Sequence, residues 1–473
     1  MTATDDLWTS VTDPYLVGQY EPIFDEREDD RLEVAGELPA GLRGTYLRNG
    51  PNPVFPPPGR YHVFDGDGML HGITLDGEGG ARYANRWIES RGLTYERKVG
   101  HAVYGGLSEF SIPEAEAVSE GGIFKNTANT NIVRHGGKYL ALMEGAHPTE
   151  IDDTLGTVGE YTFGGALQGP MTAHPKWDPA TGEMLFFCYS PFPPFLRYHV
   201  ADAAGNLVRS TEVPVGRSVM MHDFATTEHY VIWFDLPAIF DGDALMTGAG
   251  PSIYWAPEQG ARIGVMPRDG EGSDTAWIDV DPFYVFHFLN AYEEGGKIVV
   301  DGCRSPEMPT AFGDTAPVSN DIRPNMWRWE IDQVAGTVTD TQLDDEPGDF
   351  PRINDAVNGR KHRWGTQAHT GDWDAARGVR FDGVIQYDLE RGTSATHVYG
   401  PTHSSGEPVF AADPDGSAEN DGWLLNLVTD LSEGTTELVV LDARDVTAGP
   451  VARVKMPRRV PFGFHGNWMP GVA

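Results

Sequence analysis

Cysteine is nearly missing from this 473-residue chain, with only Cys188 and Cys303 present. Two distant cysteines leave no disulfide framework and no thiolate metal site, and they suit a reducing compartment. Basic residues are also few: 35 Lys and Arg stand against 70 Asp and Glu, a formal net charge of -35. That balance excludes a phosphate-backbone binder, which needs clustered Lys and Arg, so no nucleic-acid partner is expected. The acidity itself reads as solubility and identifies no substrate. No apolar run is long enough to span a bilayer, and Met1-Thr2-Ala3-Thr4-Asp5-Asp6 lacks the basic and apolar regions of a signal peptide. A cytoplasmic protein is expected, with peripheral membrane contact left open. Long helical periodicity is missing too.

What the chain has is turn and strand chemistry. It carries 57 Gly, 35 Pro and 11% aromatic residues, and its 40% hydrophobic content suffices for a sizeable core. Residues 1–30 are polar and broken by Asp13-Pro14 and Glu21-Pro22, so they read as an arm over one large domain spanning 31–473. Leu42 to Pro53 predicts a strand running into a Pro/Gly turn. His62 to His71 predicts a strand pair around an Asp-Gly turn. Further on, a strand, a turn holding Asp and Gly, and a second strand recur around Asp178–Gly182, Asp332–Gly336, Asp388–Gly392 and Asp442–Gly449. Irregular repetition of hairpins suggests an all-β fold, a β-propeller whose blades surround one axis.

Four of the 15 histidines stand apart in apolar or aromatic segments: His174 after Met171-Thr172-Ala173, His222 after Met220-Met221, His287 between Phe286 and Phe288, and His465 in Phe464-His465-Gly466. A buried imidazole needs a hydrogen-bond partner or a metal. Ligands this dispersed require a fold that returns repeatedly to one place, as a propeller does. Four neutral imidazoles suit Fe(II), Zn, Cu or Ni, and the residues alone do not choose among them. A ligating histidine donates its other N–H to a carboxylate or carbonyl. Glu144, Asp349 and Glu407 are carboxylates in apolar surroundings that could accept it.

Several segments, taken together and in order, resemble the carotenoid cleavage oxygenase family. They are Tyr46 to Pro53, Phe64 to Met69, Met221-His222-Asp223-Phe224, Gly406-Glu407-Pro408-Val409-Phe410 and Val460 to Gly466. The resemblance implies a seven-bladed β-propeller capped by loops and short helices over a substrate tunnel. It implies one Fe(2+) per chain, held by His174, His222, His287 and His465, with three of them oriented by Glu144, Asp349 and Glu407. Asp349 departs from the family glutamate and is one methylene shorter, so the backbone moves in, a water bridges, or the histidine is held less firmly. Thr130 matches a family threonine beside an open iron position.

The implied chemistry is cleavage of a carbon–carbon double bond of an apolar small-molecule alkene by O2, giving two carbonyl products. The family divides between carotenoids or apocarotenoids and phenolic alkenes such as hydroxystilbenes or isoeugenol. The phenolic branch anchors its hydroxyl with a lysine directly before the first glutamate and with an earlier tyrosine. Met143 takes the lysine position here, and the tyrosine position falls near Leu107, with Tyr104 and Tyr95 close by. A carotenoid or apocarotenoid is therefore the expected substrate, and a phenolic alkene is the alternative. A non-catalytic propeller scaffold with a structural metal is the reading from a different class. Phe55-Pro56-Pro57-Pro58 and Phe192-Pro193-Pro194-Phe195-Leu196 are candidates for the tunnel mouth or a membrane contact. Oligomeric state is left unspecified.

Overall fold

The structure, a computed structural model, describes residues 8, 13–247, 252–308, 322–371 and 380–471. Seven antiparallel meanders follow one another along the chain. Six of their first strands, the ones that meet around the axis, are Asn131–His135, Lys176–Trp177, Ala225–Thr226, Tyr284–Glu294, Gly348–Arg352 and Val409–Ala412. The seventh is Gly466–Pro470 at the C-terminal end, which pairs with Arg43–Pro51 from Gly44 opposite Pro470 to Arg48 opposite Gly466. Val34–Gly36 in turn adds to Pro450–Lys455, the outer strand of the last blade. The two ends of the chain thus interlock, which closes the ring. First strands of neighbouring blades touch: Val409–Ala412 meets Gly466–Pro470, and Tyr284–Glu294 meets Gly348–Arg352. This is the expected seven-bladed propeller.

The hairpin turns follow the expected Asp-Gly chemistry. Asp76 Oδ1 accepts the N–H groups of Glu78 and Gly80, and Asp152 Oδ1 accepts those of Thr154 and Gly156. Asp202 Oδ1 does the same for Ala204 and Asn206. Each carboxylate satisfies turn N–H groups that no strand can reach. Part of the acidity is therefore turn chemistry. Between blades the core is aromatic, with Phe187, Phe224, Trp233, Phe234, Phe288 and Trp329 all buried in one cluster. Burial of each such side chain stabilises the fold by about 1.5–3 kcal/mol.

Two local expectations change. Val63–Asp65 is a short 3-10 helix rather than the first half of a hairpin, because the Asp65 carboxylate caps the His62 N–H while His62 Nδ1 accepts the Phe64 N–H. Only Gly68–Asp76 is a strand there. Of the arm, residues 1–7 and 9–12 lie outside the described residues. Its remainder makes two 3-10 turns and then Arg27–Asp29, an outer strand on Ala81–Trp87. Among the described residues no helix is long and apolar enough to cross a membrane.

Candidate metal centre and its cavity

The ends of the first strands bring the sequence-predicted residues together. His174 and His222 directly precede their blades' first strands, His287 lies on one, and His465 immediately precedes Gly466–Pro470. All four are buried, and one ring nitrogen from each lies within 4.8 Å of the others. Burial alone does not mark them, since His62, His71, His135, His199 and His362 are buried as well. Those rings have ordinary roles; His71 Nδ1 meets the Tyr83 hydroxyl at 2.8 Å, and His135 binds both Asp202 O and the Trp177 indole. Convergence is what separates the four.

Three of them are held from behind. His222 Nδ1–H donates to Glu144 at 2.8 Å, His287 Nδ1–H to Asp349 at 2.8 Å, and His465 Nδ1–H to Glu407 at 3.0 Å. Protonation at Nδ1 leaves each Nε2 lone pair aimed inward. His287 Nε2 is buried without a hydrogen-bond partner, and His174 Nε2 lies 2.9 Å from His222 Nε2. Burial and three imidazole neighbours hold His174 well below the ordinary imidazole range, and therefore neutral. Four ring nitrogens crowding one buried point, three of them backed by carboxylates, are a site for a cation, and the donor set fits a first-row divalent metal.

Asp349 reaches His287 directly. The strand carries a register shift between Asp349 and Arg352, and Phe350 adopts a left-handed φ of 55° while its N–H donates to Asp349 at 2.7 Å. The aspartate thus contacts the ring although it is one methylene shorter than glutamate. A non-glycine residue at such a φ costs roughly 1–3 kcal/mol. Burial pushes the Glu407 carboxyl up, but Arg352, His465 and the Gly466 N–H outweigh it and hold the group at about 2. Glu407 is thus a fixed anion.

Residues not singled out in the sequence complete the frame. Asp223 accepts the Phe288 N–H at 2.9 Å and lies 2.8 Å from Lys176 Nζ, so one carboxylate ties together the segments of His222, His287 and His174. Its place in the apolar run Met221-His222-Asp223-Phe224 was a visible signal of the same kind as that of Glu144. Asn49 Nδ2 donates to Ala128 O and Asn131 O, and the Asn49 N–H donates to His465 O. Gly50 and Gly463 permit this approach, because a Cβ on Gly50 would meet Gly463 Cα at 2.6 Å. The two most distant motifs, Tyr46 to Pro53 and Val460 to Gly466, are complementary surfaces of one joint.

A cavity of about 490 Å³ ends on His222, His287 and His465, walled by Phe64, Phe286, Phe350, Phe464, Met143 and Leu107 among others. Thr130 also lines it, while its carbonyl accepts the His465 N–H at 3.1 Å. Tyr104 borders the cavity, but its hydroxyl donates to Ala117 O at 3.0 Å. Tyr95 packs with Tyr104 and Ala117 and does not line the cavity. Tyr189 lines the cavity with Glu144, and burial together with that carboxylate pushes its phenol well above the ordinary range. Phe55, Pro57 and Pro58 line the cavity, with Phe55 also packing against Val54, Met69, Trp87 and Leu93, and Phe192 is partly exposed at the cavity wall.

A propeller with four converging histidines under an apolar cavity defines a metal-dependent enzyme for a hydrophobic substrate. The family model described as retinal pigment epithelial membrane protein matches residues 20–470. A carotenoid cleavage oxygenase of Mycobacterium tuberculosis is 35% identical, over 97% of both chains. Among solved structures, the lignostilbene dioxygenase of Pseudomonas brassicacearum superposes with a TM-score of 0.90 at 32% identity, covering 98% of this chain and 100% of that one. Cobalt-substituted Synechocystis apocarotenoid oxygenase gives 0.86 at 30% identity, covering 97% and 98%. The chain belongs to the carotenoid cleavage oxygenase family. It is an alkene-cleaving oxygenase whose four-histidine centre is a non-haem Fe(II) site.

Proposed function

We propose that the protein cleaves a carbon–carbon double bond of a carotenoid or apocarotenoid with O2, one oxygen atom ending in each of two carbonyl products. The observation that carries this reading is the wall beside Glu144. Met143 spends its sulfur on the Gly145 N–H at 2.9 Å, and Leu107 packs against the main core cluster. Neither offers a phenol anything to bind, and the Tyr104 hydroxyl already donates to Ala117 O. An apolar chain sits against that wall without burying an unpaired polar group of its own.

Roles follow from position. His174, His222, His287 and His465 hold the Fe(II), which when bound supplies O2 activation beside the alkene. Glu144, Asp349 and Glu407 fix the tautomer and direction of three rings, and Thr130 lines the approach to the centre. The aromatic wall excludes water and holds one double bond of the substrate over the centre, so positioning selects the bond cut. Residues 31–473 act as one catalytic domain with 1–30 as an arm. Phe192 and Phe124, each exposed by about two-fifths at the cavity wall, suit a peripheral membrane contact from a cytoplasmic protein.

The phenolic reading is favoured by the likeness to the lignostilbene dioxygenase. Aerobic assay of Fe(II)-loaded protein on a β-apocarotenal, an intact carotenoid, a hydroxystilbene and isoeugenol separates the two. Cleavage of a polyene is the expected result, and turnover of the phenols alone would show that another residue anchors them.

A further inference from the structure

Two hollows meet at the four histidines, and their chemistry differs. The large cavity borders His222 but not His174, whereas a second hollow of about 100 Å³ borders His174 but not His222; His287 and His465 face both. The histidine cluster is therefore the partition between them. The small hollow is lined by Asn131, Lys176, Asp223, Asp355, Asn358 and Asn467. Asp355 is exposed, so its rim reaches solvent.

A hydrated divalent cation must exchange water for other oxygens as it is buried, since stripping it costs tens of kcal/mol in an apolar medium. The inner wall of the large cavity is mainly aromatic, at Phe64, Phe286, Phe350 and Phe464, and the carboxylates it shows beside the histidines, Glu144 and Asp349, already accept from His222 and His287. The small hollow offers carboxylate and amide oxygens up to the ring nitrogens. Its two cations are neutralised in place: Lys176 Nζ lies 2.8 Å from Asp223, and Arg352 lies 3.3 Å from Glu407 while donating to Gly466 O and Asn467 Oδ1. The Asp355 carboxylate is left to set the sign of the rim.

We propose that this polar chamber is the path by which a divalent cation reaches the four histidines, leaving the aromatic cavity to the substrate. The inference rests on the four-histidine metal centre. It makes metal loading independent of whether the cavity is filled.

The test is Co(II) uptake by the metal-free full-length protein, followed by visible absorption in a stopped-flow instrument at low ionic strength. Asp355→Arg at the chamber rim is compared with Glu109→Arg beside the cavity, where Glu109 accepts the N–H of Arg60, a cavity-lining residue. Both side chains are exposed, neither touches the histidines, and both substitutions change the net charge equally. Asp355→Arg is expected to slow uptake by at least about threefold with unchanged final cobalt content, while Glu109→Arg tracks the wild type. A saturating β-apocarotenal under argon leaves the wild-type rate unchanged. Equal rates in the two variants, a selective effect of Glu109→Arg, or blockage by the apocarotenal overturns the route. Failure of every form to bind cobalt overturns the metal centre itself and the route with it.

Discussion

Asp349 shows how a single methylene is absorbed. Sequence comparison with the family pattern flags the aspartate, but the three remedies it allows, a shifted backbone, a bridging water or a loose ring, differ only in coordinates. The structure shows direct contact: the carboxylate lies 2.8 Å from His287, beside Phe350 at its left-handed φ. Behind it, Cys303 donates to Gln367 at 3.2 Å, and both burial and the charge of Asp349 push its thiol well above the ordinary range. Cys303 is therefore inert packing and no nucleophile. Asp349→Ala should lower metal affinity by about 10–100-fold, measured by chelator competition. Asp349→Glu should bring no gain, because the bulge already places the carboxylate in contact and an added methylene crowds it.

At the scale of elements, the propeller was legible because each blade repeats a local signal. Aspartate and glycine four residues apart mark a turn whatever the blade packs against, as at Asp332–Gly336 and Asp430–Gly434, where the Asp carbonyl accepts the Gly N–H. The four ligands were legible for a related reason, since a histidine in an aromatic run is conspicuous. What binds one element to another was not legible. Lys125 forms ion pairs with both Asp67 and Glu96, whose carboxylates are nearly inaccessible, and Glu96 also accepts the Val103 and Tyr104 N–H groups at the cavity wall. These residues are 29 and 58 positions from Lys125, and no local pattern joins them. Lys125→Met leaves two buried carboxylates without their cation and should destabilise the protein by about 3–5 kcal/mol, read from denaturant unfolding. The same variant should expose the 101–107 segment to limited proteolysis.

For the whole molecule, acid stability is set by imidazoles remote from the metal. Burial holds His199 and His362 down at about 4, against an ordinary value of 6.5. Their folded values are depressed, so the unfolded chain takes up protons first as pH falls. The stability they contribute is complete above pH 6.5 and is lost between 6.5 and about 4, on the order of 3 kcal/mol for each. Melting temperature should drop across that window, and His199→Gln should flatten the drop. Ring closure is the other molecular-scale feature, because Gly466–Pro470 both completes a blade and follows His465. Loss of that strand therefore opens the propeller and leaves His465 without the strand that follows it.

The central claim is that the four histidines and the apolar cavity make one dioxygenase site. It is tested most directly by turnover of a β-apocarotenal under 18O2 with Fe(II)-loaded protein, beside His287→Ala. Two carbonyl products, each carrying one labelled oxygen, are expected from the wild type and none from the variant. Unlabelled products, or equal turnover without His287, would contradict it.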